Sequence, residues 1–533
     1  MSGFLRREEL ELKLDADEKA FEALLSLLEN DYQFKQGVRR EEQIRDIYLD
    51  TRDWWFYRAG AALRVRQSKS GLQIFLKALT EAKSGVAQRA EIEEVQAPIR
   101  KVLNTLPPGA IRAYLKQCGA PLRLKPLFRI QTQRTCATAR RGEDHELALS
   151  IDHTRIFRLN GKRPVLTDTF REVEIEHWNG PVHVTETILR ELCEKTSIPA
   201  SAGSKFNRSL QALELKPPAP AVPLRPTARH QDRLIDLAYR VLAAHFQFMR
   251  ANEPGARLGL DPEFVHDMRV AIRRMRAAWV TFGDALPASK VISFDNTLKW
   301  IAEALGRVRD YDNHLEMISR YLYTAQEDGD AVGQYQARLM EKREIVRQEM
   351  LEVLDSARYQ SFLANLTAFL EQGPAQRPRA PLACTPASEA AVKLLEGQYN
   401  KVLRWGKKAL QNGNPGDWHK LRLACKQLRY TSEWFSGIYG KGFDKFILRL
   451  SSLQTLLGNH RDTHLAAELL RKSAFDTDAK EPTSPELLLA FGRMIEQQHR
   501  KIQSLEAKLP AQWKRFQSKK APFTSPRKSK AFR

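Results

Sequence analysis

The chain has 533 residues, 42% of them apolar and 28% charged, which supplies ample core material and excludes whole-chain disorder or a collagen-like chain. At about 100–200 residues per domain, two to four domains are expected. Lys and Arg exceed Asp and Glu by 22, so a polyanionic partner is implied: nucleic acid, an anionic membrane surface or a phosphate chain.

The excess is uneven. Residues up to Lys216 hold 36 basic and 30 acidic side chains, and the remainder 50 and 34. The second part is therefore the stronger candidate for binding a polyanion. The five cysteines (Cys118, Cys136, Cys193, Cys384 and Cys425) are dispersed and form no C-x-x-C. This argues against a disulfide framework or a zinc ribbon and favours a reducing compartment. Met1 to Lys13 is charged and lacks a signal-type apolar core. No stretch approaches the ~20 apolar residues of a membrane span. A cytoplasmic protein without membrane insertion is expected.

In chain order, Glu8–Leu14 alternates as a strand and Asp17–Glu29 reads as a helix. Gln43–Asp50, Ala61–Gln67, Leu72–Leu79 and Gln88–Val95 read as strands. Ile99–Gly119 is mostly helical, broken at Pro107-Pro108. Leu127–Cys136, Glu146–His153 and Thr167–His177 are strands, and Val184–Thr196 is a helix. A strand-rich sheet with helices packed outside follows.

These strands place charge on one face. Side chains alternate with period two, so Glu9, Glu11 and Lys13 oppose Leu10, Leu12 and Leu14. Arg64 and Arg66 flank Val65; Lys77 shares a face with Phe75; Arg89 shares one with Glu91 and Glu93. Glu172, Glu174 and Glu176 oppose Val173 and Ile175. For one strand, a solvated face is the ordinary explanation. Five strands carrying both signs suggest a closed sheet with a charged interior. Carboxylates there could converge on a hard cation such as Mg²⁺, and Arg and Lys could hold phosphate oxygens.

Glu9-x-Glu11-x-Lys13, the block Ile47–Thr51 with Gly60–Arg66, Glu172-x-Glu174-x-Glu176 and Ser204–Arg208 occur in the order found in the CYTH, or triphosphate tunnel metalloenzyme, superfamily, which this region resembles. The resemblance covers residues 1–216 and implies an α+β fold: an eight-stranded antiparallel β tunnel with outer helices. It implies metal ligation by Glu9, Glu11 and Glu174, with Glu172, Glu176, Glu91 and Asp152 nearby. Arg64, Arg66, Lys77, Arg89, Arg129, Lys205 and Arg208 would hold phosphates. Arg134 differs in parity from Arg129 and shares its face only if a bulge intervenes. Lys13 would orient the attacking water, with Glu91 as a second catalytic candidate. The implied cofactor is Mg²⁺, with Mn²⁺ as the alternative. Family activities include inorganic, thiamine and RNA triphosphatases and class IV adenylate cyclases. With no nucleoside or thiamine signature legible, inorganic triphosphate is the preferred substrate.

Residues 217–227 are rich in proline and read as a semi-rigid spacer. Helical periodicity dominates afterwards, interrupted at Gln372–Pro386. An internal repeat is visible. His266, Arg269, Arg273 and Arg276 recur as His419, Arg422, Lys426 and Arg429, and Leu305-Gly306-x-x-Arg309-Asp310 recurs as Leu457-Gly458-x-x-Arg461-Asp462. Each set of four falls within an arc of roughly 80° on a helix, a row of positive charge. Ion pairs with Asp310 and Asp462 are the ordinary alternative. Neither His266 nor His419 has an H-x-x-x-H or Cys partner, so both are read as phosphate donors or Arg-fixing groups rather than metal ligands.

This pattern resembles the CHAD domain. The resemblance covers about residues 228–512, in two repeats of about 228–371 and 387–512. It implies an all-α, pseudo-symmetric pair of four-helix bundles that binds inorganic polyphosphate through these rows, Arg309 and Arg461 included. Association with polyphosphate granules would follow. Residues 513–533 hold eight Lys or Arg and no acid and are expected to be disordered. The competing expectations are a non-catalytic polyphosphate binder, a cyclase, and nucleic-acid binding through the basic part. The last is the weakest, because no RNP-type aromatic motif is present.

Overall fold

The computed structural model describes residues 5–68, 71–80, 86–96, 105–160, 163–196, 198–201, 203–322, 329–475, 483–518 and 521–523. The chain divides into two compact units. One holds residues up to Ala221 with Ala251–Val265, and the other holds Val222–Arg250 with the residues from His266 onward.

The first unit is a closed antiparallel barrel in the order β1-β5-β4-β3-β2-β6-β7-β8, with β8 returning to β1. The strands are β1 (Leu5–Leu14), β2 (Lys35–Asp50), β3 (Ala61–Ser68), β4 (Gly71–Ala78), β5 (Val86–Gln96), β6 (Lys125–Arg141), β7 (His145–Asn160) and β8 (Arg163–Asn179). Each expected strand is present; β2, β6, β7 and β8 run well beyond the segments read from alternation. The outward faces are apolar. Leu10, Leu12, Leu14, Val173 and Ile175 pack under Phe21, Leu24 and Leu28 of α1 (Glu18–Asn30) and Leu189 and Leu192 of α4 (Val182–Thr196). Asp17 caps α1 by accepting from the Ala20 amide at 3.0 Å. The short helices α2 (Trp55–Arg58) and α3 (Ala110–Gln117) cover β3, β4 and β5. Of the helix expected over Ile99–Gly119, residues 99–104 lie outside the described residues.

Helix α5 (Lys205–Ala212), not anticipated from the sequence, has Ser204 as its N-cap. Its Phe206 and Leu210 pack against Tyr48, Phe128, Ile130 and Ile156. These last four share the inward parity of Asp46, Arg134 and Asp152, so α5 stoppers one end of the barrel interior.

The second unit is helical among the described residues. The first repeat supplies α6 (Leu234–Leu258), α7 (Glu263–Phe282), α8 (Ala288–Leu322), α9 (Gly329–Asp355) and α10 (Ala357–Gln372). Ser356 interrupts the helical run between α9 and α10 and caps the latter. The second repeat supplies α11 (Ala387–Asn412), α12 (Pro415–Phe435), α13 (Lys441–Ala474) and α14 (Pro485–Gln517). The basic rows lie on α7 and α12. Met268, Ala271, Ile272 and Met275 of α7 are buried, and the row itself is half-buried.

The expected disordered tail begins too early. Helix α14 continues through Gln517, and Trp513, Phe516 and Phe523 are buried. Phe523 meets Tyr399 and Phe446 at centroid distances of 5.5 and 5.7 Å. The apolar burial of these three rings orders the segment, while Lys514 and Arg515 stay exposed. Residues 524–533 lie outside the described residues.

Candidate functional site

The barrel interior contains a cavity of about 290 Å³. Its lining includes the cations Lys13, Arg64, Arg66, Lys77, Arg89, Arg134 and Lys205 and the acids Glu9, Glu11, Glu42, Glu91, Glu93, Glu174 and Glu176. Strand register makes this pairing. Glu9 sits opposite Arg89, Lys13 opposite Glu174, Glu11 opposite Glu176, Lys77 opposite Glu91, and Arg134 opposite Asp152. Asp152 and Glu172 are also inward and fully buried, behind Arg134 and Lys205.

Three ammonium groups tie the acids together. Lys13 pairs with Glu174 and, at 3.1 Å, with Glu11. Lys77 pairs with Glu9 and approaches Glu11 at 3.4 Å. Lys205 contacts Glu172 and lies 2.8 Å from both Asp152 and Glu174. Arg89 donates to Glu11 at 2.7 Å, and Arg134 donates to Asp152 at 2.7 Å and to Glu174 at 2.5 Å. Arg64 lies 3.5 Å from Glu91 and stacks over Phe75 at 4.3 Å.

The electrostatics follow from burial set against these partners. Burial alone would lower Lys13, but Glu11 and Glu174 overcome it and raise the ammonium well above its ordinary value. Burial would raise Glu174, but Lys13, Lys205 and Arg134 hold it well below the usual range. Glu176 behaves oppositely: burial, then the neighbouring Glu9 and Glu174 charges, push its carboxyl up to about 7.

Two placements correct the sequence reading. Arg129 is not in the tunnel. It stands on the outer parity of β6, over the Phe157 ring at 5.1 Å, and burial together with Arg45 lowers it. Arg134 points inward instead; β6 pairs with β7 without a register shift between the two residues, so the five-residue separation reverses the face. Arg208 does not line the cavity either. It pairs with Asp15 and lies 3.8 Å from Glu172. Sequence reasoning missed Asp46, which accepts two bonds from Arg66 at 2.9 and 3.0 Å. Its inward neighbours Ile44 and Tyr48 are uncharged, so no alternation of charge marked it.

In the second unit, the two basic rows influence one another. Burial, then Arg273 of the first repeat and Arg422, lower Lys426 of the second to about 7. Burial also lowers Arg422, against the attraction of Asp462, which stands 3.9 Å away; Arg273 and Arg461 lower it further. Buried Nδ1 of His419 and Nε of Arg422 make no hydrogen bond. Arg273 donates to the Tyr430 hydroxyl at 2.9 Å. Arg276 is engaged by Asp295 at 2.8 Å, and Arg429 by Glu433 at 2.8 Å. Arg269 donates to the Ala302 carbonyl at 3.0 Å. Gly306 permits that approach, since a Cβ there would stand 2.5 Å from the guanidinium. Burial lowers Arg269, with Asp310 opposing and Arg273 and Arg309 reinforcing. His266 is half-buried on the same helix.

A closed barrel with interleaved acids and bases, followed by a duplicated helical unit bearing basic rows, defines a charged β-tunnel fold joined to an all-α module. Residues 7–210 match the CYTH domain family and residues 240–471 the CHAD domain family. The chain therefore carries a CYTH domain followed by a CHAD domain. Among solved structures, the CHAD domain from the plant Ricinus communis is 24% identical, with 58% of this chain and 99% of that one covered at a TM-score of 0.48. PptA from Streptomyces chartreusis is 19% identical over 52% of this chain and 98% of its own, at a TM-score of 0.42. A Hippeastrum protein named as an adenylyl cyclase and described as having a dominant triphosphatase activity is 21% identical over 38% and 95%, at a TM-score of 0.26. No curated protein matches the chain.

Proposed function

We propose that the chain is a metal-dependent inorganic triphosphatase whose helical half binds inorganic polyphosphate. The observation that carries the reading is the cavity lining, where seven cations face seven carboxylates. Such a lining has no net charge to offer a polyphosphate, although its Arg and Lys groups are placed to grip one. Divalent cations would supply the missing charge.

The donor set fits such an ion. Oxygens of Glu9, Glu11 and Glu176 lie within 4.8 Å of one another, and so do those of Asp152, Glu172 and Glu174. An all-carboxylate set suits Mg²⁺ or Mn²⁺. Burial, then the Glu9 and Glu174 charges, raise the Glu176 carboxyl, a state that a bound cation would relieve. Glu9, Glu11 and Glu176 would hold the ion, with Glu174 of the second set as a further candidate ligand. When bound, the ion would neutralise phosphate oxygens and acidify water.

The chain's own groups would do the rest. Arg64, Arg66, Lys77, Arg89, Arg134 and Lys205 would hold the phosphate chain along the tunnel and stabilise charge moving to the departing diphosphate. Lys13, kept protonated by its acidic neighbours, cannot act as a base; it would donate a hydrogen bond to position water against the terminal phosphorus. Glu91 would orient the same water. In the helical half, the converging rows on α7 and α12 would bind longer chains, with His419 and Arg422 supplying donors that no protein group uses.

The test is phosphate release from tripolyphosphate, ATP and long-chain polyphosphate with Mg²⁺, with Mn²⁺ and with chelator. Metal-dependent release that favours tripolyphosphate is expected. Release from none of them would leave the tunnel a ligand clamp and overturn the reading.

A further inference from the structure

Helix α13 carries His460-Arg-Asp-Thr-His464, a spacing of four that puts both imidazoles on one face. Helix α14 brings Glu506 to them. His460 Nε2 lies 3.1 Å from Glu506 Oε1 and 3.1 Å from His464 Nε2. The three ligand atoms all fall within 4.8 Å of one another. The Trp418 ring stacks on His460 at 4.1 Å and 21° and fixes the plane of the buried imidazole.

Hydrogen bonding satisfies this arrangement poorly. His460 Nε2 has one proton or one lone pair. If it donates to Glu506, the His464 nitrogen competes for the same proton or meets it with another. A cation would take a lone pair from each of the three groups at once.

His460 and His464 line a pocket of about 550 Å³ together with His419, Arg461, Arg471 and Arg500 and with the carboxylates of Glu468 and Glu496, the latter engaged by Arg500 at 2.8 Å. Three protein ligands leave a tetrahedral ion one open position, and the guanidinium groups make the surroundings suitable for an anion. The first repeat has no counterpart: Val308 and Asp312 stand where His460 and His464 would be, and Asp312 accepts from Arg343 at 2.6 Å. We propose that His460, His464 and Glu506 form a zinc-class divalent metal site, one per chain, whose open position takes a phosphate oxygen from an anion held by the adjacent arginines. Only the anion rests on the polyphosphate reading; the metal site stands apart from it and from the tunnel.

The experiment is Co²⁺ titration of the full-length protein in excess Mg²⁺, which fills oxygen-only sites. One equivalent with the visible absorption of nitrogen-ligated Co²⁺ is expected, displaced by Zn²⁺. His464→Ala and Glu506→Gln, both at partly exposed positions, should each weaken binding by about 10–100-fold with unchanged circular dichroism. Full absorption in both variants, or none in the wild-type protein, overturns the site. So does loss of the absorption in Glu9→Gln/Glu11→Gln, which would assign the Co²⁺ to the barrel. Inorganic phosphate should then shift the Co²⁺ spectrum of the wild-type protein; an unchanged spectrum at saturating phosphate rejects the anionic ligand while leaving the metal arm to be judged on its own result.

Discussion

Glu176 sits opposite Glu11 across the β1–β8 seam, with its carboxyl pushed up to about 7 by burial and then by Glu9 and Glu174. Without metal, the folded barrel keeps a proton that the unfolded chain releases from about 4.5 upward, so stability falls as pH rises from about 4.5 to 7. Bound Mg²⁺ would compete with that proton. Its apparent affinity should therefore rise up to about tenfold per pH unit below 7 and level off above; calorimetric titrations on both sides of 7 check this, and a pH-independent affinity would contradict it. The tunnel also separates two arginines of one strand. On the proposed reading, Arg134→Ala should lower kcat for tripolyphosphate by about 10²–10³-fold, whereas Arg129→Ala should leave it within about twofold. Steady-state phosphate release on both variants decides. Most of the acids were legible because strict alternation repeats on β1, β5 and β8. Arg134 and Asp46 were not, because each stands among uncharged inward neighbours that break the pattern. His460 and His464 escaped for a different reason: the basic rows drew the histidine reading to His266 and His419, which have no i+4 partner.

Helices α7 and α12 owe their character to crowding among like charges. Lys426, lowered to about 7 by burial and by Arg273 and Arg422, is partly neutral near that pH and charged below it. A bound polyanion should re-protonate it. Polyphosphate affinity is therefore expected to weaken as pH rises through about 7, and binding near pH 7 should take up protons. Isothermal titration in buffers of different ionisation enthalpy measures that uptake, which Lys426→Arg should abolish. Arg273→Ala should reduce the steepness of the salt dependence and raise the affinity of Lys426 for its proton. At the far end of the bundle, the Trp513 ring lies against Gly406 so closely that a Cβ would stand 1.9 Å from it. Gly406→Val should cost about 1–3 kcal/mol through overpacking, measured by urea unfolding. The duplicated helices were readable from their shared spacing. The end of α14 was not, since its basic composition masked three aromatic residues whose burial depends on α11 and α13.

The whole molecule joins two units with different charge patterns, acids interleaved with bases in one and crowded bases in the other. Charge-removing variants on α7 and α12 should weaken long-chain polyphosphate binding yet leave kcat/KM for tripolyphosphate unchanged; a parallel fall in both would show that the units act together. The order of barrel, proline-rich segment and helical repeat was legible from composition and periodicity. The division is less clean than composition suggests, because residues 251–265 group with the first unit although they follow the proline-rich segment. Strand closure has a further consequence for how the protein is made. Glu11 meets Glu176 only when the first and last strands join. A ribosome must therefore release nearly the entire barrel before its acid cluster can assemble. Until then β1 can pair only with β5, leaving its other edge open. Such long-range closure is slow, and the nascent chain carries an unpaired edge bearing Glu9, Glu11 and Lys13 throughout that interval. Charge on an exposed edge discourages pairing with another chain, so the same three side chains that furnish the tunnel would also protect the polypeptide during its own synthesis.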